Sequence, residues 1–144
     1  MFHKKYIFVN FLALIAVFIF VLMELFVPTV RGLFKGSVLF LLPFIIFSLL
    51  GIVLIFLTIK EKIQSKLRDS LLLIGISSAG FFISIFLHNI FYGLAVISER
   101  VVVLSYLMKF FDISFFVIAI FACPLLFLIS AIITLILFLK IKFS

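Results

Sequence analysis

Four long apolar runs, separated by short polar breaks, organise the chain. They cover residues 6–27, 38–59, 71–97 and 113–139. Each is longer than the roughly 20 residues that a helix needs to cross about 30 Å of hydrocarbon. Membrane-spanning strands cross in about 10 residues and alternate in polarity, and neither feature is present. Backbone groups in lipid must be satisfied within their own segment, so separate runs of this length predict helices. The third and fourth runs are long enough to imply tilt, or ends that emerge from the bilayer.

The breaks are short. Pro28, Arg31, Gly32, Lys35 and Gly36 separate the first two runs. Residues 60–70 form a basic loop with Lys60, Glu61, Lys62, Gln64, Lys66, Arg68 and Asp69. Glu99, Arg100, Lys109 and Asp112 bound the third connection. Its middle, residues 101–107, is apolar and is expected to lie on the membrane surface or against helix ends. Pro43 and Pro124 fall inside runs and predict kinks. The two halves each read as a helical hairpin, but their residues do not align, so symmetry gives no support to an inverted-repeat transporter.

Composition strengthens this picture. The chain is 68% hydrophobic and 12% charged, with a mean hydropathy of +1.61. Soluble domains run near half apolar and a quarter charged. A protein of 144 residues could not hide so many apolar side chains from water. The expected fold class is therefore all-α: a four-helix transmembrane bundle, with residues 1–144 as one membrane domain. Lys4 and Lys5 ahead of an apolar stretch have the look of a signal peptide. The stretch is too long for a usual h-region and no small-x-small site follows, so it reads as a retained helix.

The net charge is +7, from 12 Lys and Arg against 5 Asp and Glu. The basic residues cluster at the ends of apolar runs, where topology and anionic lipids explain them better than nucleic acid does. With both termini inside, Lys4, Lys5, Lys60, Lys62, Lys66, Arg68, Lys140 and Lys142 lie on the inner side; Arg31, Lys35, Arg100 and Lys109 lie on the outer. The positive-inside rule then predicts cytoplasmic termini in a cell membrane. Lys60, Lys62, Lys66 and Arg68 are expected to meet anionic lipids, or to act only as topology determinants.

Ionisable groups inside spans are costly and by default face protein or water. Glu24 falls in the first span; His88 and Asn89 fall in the third. Glu24 lies 17 residues beyond Ile7, and His88 lies 17 beyond Leu71. At 1.5 Å per residue both sit about 25 Å from the inner boundary. Helical phase puts Tyr6, Asn10, Ala13, Val17 and Glu24 on one stripe. Ser77, Ser84, His88 and Ala95 share a second; Ala119, Cys123, Ser130 and Thr134 share a third. Small and hydroxyl residues favour close helix contacts, so these stripes are expected to face one another. Two readings follow. Glu24 and His88 pair in an outer-leaflet pocket, with Ser84, Asn89 and Tyr92 nearby, able to hold a cation, a proton or a lipid headgroup. Alternatively, Glu24 only reaches the interface near Arg31, and His88 and Asn89 are interhelical glue.

Enzyme chemistry has little footing. His3 and His88 are too far apart for a metal triad with the acids available. There is no G-x-S-x-G and no Gly-rich phosphate loop. Cys123 is the single cysteine, which excludes an intrachain disulfide and a C-x-x-C site. No catalytic residue, cofactor or metal is expected. The 23 Phe residues are spread through all four spans and read as lipid-facing and packing mass.

Residues 71–94 read LLLIGISSAGFFISIFLHNIFYGL. Ser78, Ala79, Gly80 and Phe81, followed by Leu87, His88, Asn89, Tyr92 and Gly93, resemble a segment of small uncharacterised four-helix membrane proteins of bacteria and archaea. The resemblance covers about one span and implies no activity. Small multidrug exporters are shorter and carry their acid earlier in the first span. Quinone-linked disulfide enzymes need cysteine pairs that are absent. Three function classes are compatible: an interaction or accessory subunit, a small oligomeric transporter or channel, and a self-immunity protein against membrane-active peptides. A homo-oligomer or a membrane-protein partner fits the first two.

Overall fold

The computed structural model describes residues 2–63 and 66–143, with side chains for 5–63 and 66–140. Gln64 and Ser65 of the basic loop, and the side chains of His3, Lys4 and Lys142, lie outside this set. Among the described residues six α-helices follow one another: α1 (Phe2–Phe26), α2 (Pro28–Phe34), α3 (Leu42–Lys60), α4 (Lys66–Ile97), α5 (Val102–Val117) and α6 (Cys123–Phe143). They build four stretches long and apolar enough to cross a membrane: Lys5–Phe26, Val38–Lys60, Lys66–Ile97 and Val102–Lys140. The chain is a four-helix membrane bundle.

The prolines act at element boundaries. Val27 is extended, as the residue before a proline prefers, and Pro28 opens α2. Pro43 does not kink a helix. It sits in the first turn of α3, after a 3-10 turn at Val38–Leu41, where its missing N–H costs nothing. Pro124 lies inside a continuous helix. The turn Ile118–Ala122 widens to a π-helix, and the Cys123 N–H donates to the Ile118 carbonyl, five residues back. This expanded turn accommodates a residue that has no N–H to offer Ile120.

The helix continues through the widened turn, so the last membrane-crossing stretch runs for 39 residues. At 1.5 Å per residue that is about 58 Å. Residues 101–107, expected on the membrane surface, are instead mostly the opening turns of this long helix. Periodicity could not find the continuity, because Lys109 and Asp112 interrupt the apolar run while both remain compatible with a helix.

Aromatic contacts set the register between helices. Phe18 of α1 stacks on Phe47 of α3 at 5.7 Å, and Phe44 of α3 stacks on Phe81 of α4 at 5.9 Å. Phe18 is eight residues from the end of α1, and Phe47 is nine from Val38, so α1 and the α3 stretch finish at one level. Phe44 is six residues from Val38, whereas Phe81 is sixteen from Ile97. Phe47 also meets Phe81, at 6.1 Å, so the hairpin of α4 and α5 stands about 10–15 Å beyond the α1–α3 end.

α4 is the hub, packed against α3, α5 and α6. Its seam with α3 depends on glycine. A Cβ on Gly51 would collide with Ser78 Oγ and lie 2.9 Å from the Gly75 carbonyl oxygen. One on Gly75 would meet Ile55 Cγ1 at 2.5 Å and the Gly51 carbonyl oxygen at 2.8 Å. Such approach is how helices associate in lipid, where apolar surface alone provides no driving force. Polar side chains fasten other seams. Asn10 donates to the Leu50 carbonyl at 3.0 Å, and Ser70 donates to the Ser130 carbonyl at 2.9 Å beside Thr134 Oγ1 at 2.5 Å.

Phenylalanine fills the remainder. Phe18 meets Phe127 at 4.4 Å, and Phe8 and Phe11 both meet Phe138, which closes α1 against α6. Phe11, Phe18, Phe44, Phe47, Phe81 and Phe127 are core residues. Tyr6, expected on the inward stripe of α1, is 60% exposed. The buried face instead runs through Ile7, Asn10, Phe11, Leu14, Phe18, Val21 and Glu24.

Candidate functional site

The ionisable residues expected inside the bundle gather toward the end bearing α2. Counting six residues on from Phe18 and seven from Phe81 sets Glu24 and His88 at about one level, near the rim where α1 ends. They do not form the expected pair. Glu24 is fully buried, and neither of its carboxyl oxygens has a hydrogen-bond partner among the described residues.

His88 turns instead to α5. Its Nδ1 lies 2.6 Å from Oδ1 of Asp112 and 3.3 Å from the Asp112 backbone carbonyl oxygen. An ionised carboxylate and a carbonyl offer only acceptors, so the proton belongs on Nδ1 when Asp112 is charged. The Oδ1 contact is close but not aligned as a hydrogen bond. Phe116, one turn beyond Asp112, covers the imidazole at 5.2 Å between ring centroids. The pair is partly screened, with side-chain exposures of 29% for His88 and 15% for Asp112.

Asp112 escaped the sequence reading because it appeared to bound a loop. Its spacing from His88 carries no pattern. Only the continuity of α5 with α6, antiparallel to α4, brings the two to one level.

The other expected members of the cluster spread apart. Ser84 is buried on α4. Asn89 is exposed and donates to the Ile85 carbonyl of its own helix at 2.8 Å. Tyr92 is 59% exposed. Cys123 is buried and packs opposite Gly80, whose added Cβ would lie 3.5 Å from its Sγ. Among the described residues no group of three or more His, Cys, Asp or Glu is placed to hold a metal ion.

Above His88 the projecting hairpin is held by its own contacts. Phe91 stacks on Phe111 and Phe115 at 5.1 and 5.5 Å, and Ser105 donates to the Ala95 carbonyl at 3.4 Å. Among the described residues nothing covers the outward face of α5. Val103, Tyr106, Phe110, Ile113 and Val117 are all exposed, at successive spacings of three, four, three and four residues.

Comparison with protein-family models, with curated proteins and with solved structures finds no match. The resemblance of residues 71–94 gains nothing from them.

Proposed function

We propose that this small polytopic membrane protein acts by association, as an interaction or accessory subunit without enzymatic activity of its own. The ridge on α5 carries this reading. Its alternating spacing of three and four is the repeat by which one helix packs along another. Its upper part stands beyond the level at which α1 and α3 end, where hydrocarbon no longer accounts for a bare apolar surface. A helix of a second copy, or of another membrane protein, fits such a ridge. Native electrophoresis of the protein in mild detergent tests it. The expected result is a complex larger than the monomer that Phe110→Glu dissociates; a monomer at every concentration would overturn the reading.

On the same reading the protein lies in the cell membrane with both termini cytoplasmic, supported by eight basic residues on one side against four on the other. The loop residues Lys60, Lys62, Lys66 and Arg68 are exposed there and would face anionic lipid.

Full burial of Glu24, with no hydrogen-bond partner among the described residues, favours a second reading, a small oligomeric transporter or channel. Intramembrane acids of this kind mark ion or proton paths. Proteoliposomes loaded with a pH-sensitive dye discriminate the two. Proton flux that Glu24→Gln abolishes would favour transport, and its absence under every gradient would remove that reading.

A further inference from the structure

The α2 end of the bundle carries two adjoining cavities of opposite character. The first, about 430 Å³, is a lipid-facing groove between Ala16, Val17 and Phe20 of α1 and Leu42, Pro43 and Ile46 of α3. Its lining is wholly apolar. The second, about 610 Å³, is a cup formed where α2 folds over the bundle end, with Pro28, Arg31, Gly32, Lys35 and Ser37 on its wall. Phe34 belongs to both. Its ring meets Phe20 edge-on at 6.2 Å, so the two spaces meet across one side chain.

Each cavity falls within the size range of small-molecule sites. Their order along the bundle axis matters more. The groove lies within the span of α1 and α3, at acyl-chain depth. The cup lies at the rim, at headgroup depth. Arg31 and Lys35 are exposed, and among the described residues neither makes an ion pair. Two unpaired cations above a slot for hydrocarbon match one chemical class: an amphiphile with a phosphate head and an acyl tail.

We propose that this double cavity is a binding site for an anionic phospholipid. The phosphate sits between Arg31 and Lys35, with the Arg31 guanidinium able to grip two of its oxygens and the Lys35 ammonium acting as a point charge. One acyl chain runs down the groove past Phe34 and Phe20. The turn is shaped for this by Gly36, whose φ of +79° few other residues adopt. The site is separate from the basic loop at the opposite end of the bundle and does not depend on association through α5.

Native mass spectrometry of the full chain, released from micelles containing equal phosphatidylglycerol and phosphatidylcholine, tests the proposal. The protein is expected to retain phosphatidylglycerol preferentially. Each cation near an anionic lipid contributes about a fivefold preference, so Arg31→Gln with Lys35→Gln should lower it by about 25-fold. Replacing Lys60, Lys62, Lys66 and Arg68 with Gln should leave the tightest lipid in place. Ala16→Trp, which fills the groove, should weaken retention of both lipids. Competition with inorganic phosphate distinguishes the sources of the anion: the lipid should persist at millimolar phosphate. Equal retention of the two lipids, or a preference that survives the Arg31/Lys35 change, would overturn the site. Full displacement by phosphate, with no effect of Ala16→Trp, would reduce it to a simple anion cup and overturn the lipid assignment. Thermal unfolding of each variant, unchanged from the parent, confirms that the loss is local.

Discussion

A carboxyl group in a membrane bundle needs either a partner or access to water. Glu24 has full burial and no hydrogen-bond partner among the described residues. Leaving a buried polar group unmatched costs about 1–3 kcal/mol. Glu24→Met keeps most of the volume and removes the polar oxygens. It should stabilise the bundle by about 1–3 kcal/mol, read from unfolding in mixed micelles. Unchanged or lower stability would mean that the carboxyl group makes an interaction that holds the fold. Gly51 and Gly75 behave in the opposite sense. Valine at either position drives a side chain into a facing backbone carbonyl, and the same assay should show a loss of about 1–3 kcal/mol. Equal stability of Gly75→Val would contradict the close approach of α3 and α4. At this scale the sequence was partly legible. Glu24 and His88 stood out because charge in a span is rare. The partner of His88 did not, because a contact across a bundle depends on helix rotation, which a weakly amphipathic span leaves almost unmarked. The exposure of Tyr6 illustrates this: the inward face of α1 is set by Phe11, Leu14 and Phe18, and lipid-facing positions carry the same residue types.

Among elements, the hairpin of α4 and α5 differs from the rest. It extends beyond its neighbours, and its base is joined by His88 and Asp112. A double-mutant cycle of His88→Ala and Asp112→Ala should give a coupling of about 1 kcal/mol, within the range of polar pairs in membrane bundles. A coupling of zero would mean that Phe91, Phe111 and Phe115 hold the hairpin alone. The existence of four crossings was legible from run length, since about 20 apolar residues have few other uses. The start of the last helix was not. Lys109 and Asp112 read as the edge of a loop, yet α5 places Asp112 toward α4 and leaves Lys109 exposed. Pro124 read as a kink site inside one helix, and the helix widens to a π turn immediately before it and runs on. The earlier start, at Val102, lengthens the final helix and pairs it with the end of α4 in a projection that the apolar runs did not announce.

For the whole molecule, two ends of different character emerge. One gathers Lys60, Lys62, Lys66, Arg68 and Lys140 around helix ends and the basic loop. The other carries α2, the α4–α5 projection and the rim on which Glu24 and His88 lie. Its exposed apolar ridge, basic cup and adjoining groove set it apart. The account as a whole rests on a bundle that crosses the bilayer four times with the α4–α5 tip beyond it. Single-cysteine labelling in intact membranes addresses this most directly, because the native Cys123 is buried and should give little background. A membrane-impermeant maleimide should label Glu99→Cys and Arg100→Cys, exposed at the α4–α5 tip and off the α5 ridge, from the same side as Arg31→Cys. It should label Lys62→Cys from the opposite side only, and leave Leu128→Cys, exposed at mid-bilayer depth, unlabelled. Protection of Arg100→Cys, or labelling of Arg100→Cys and Lys62→Cys from one side, would contradict the account.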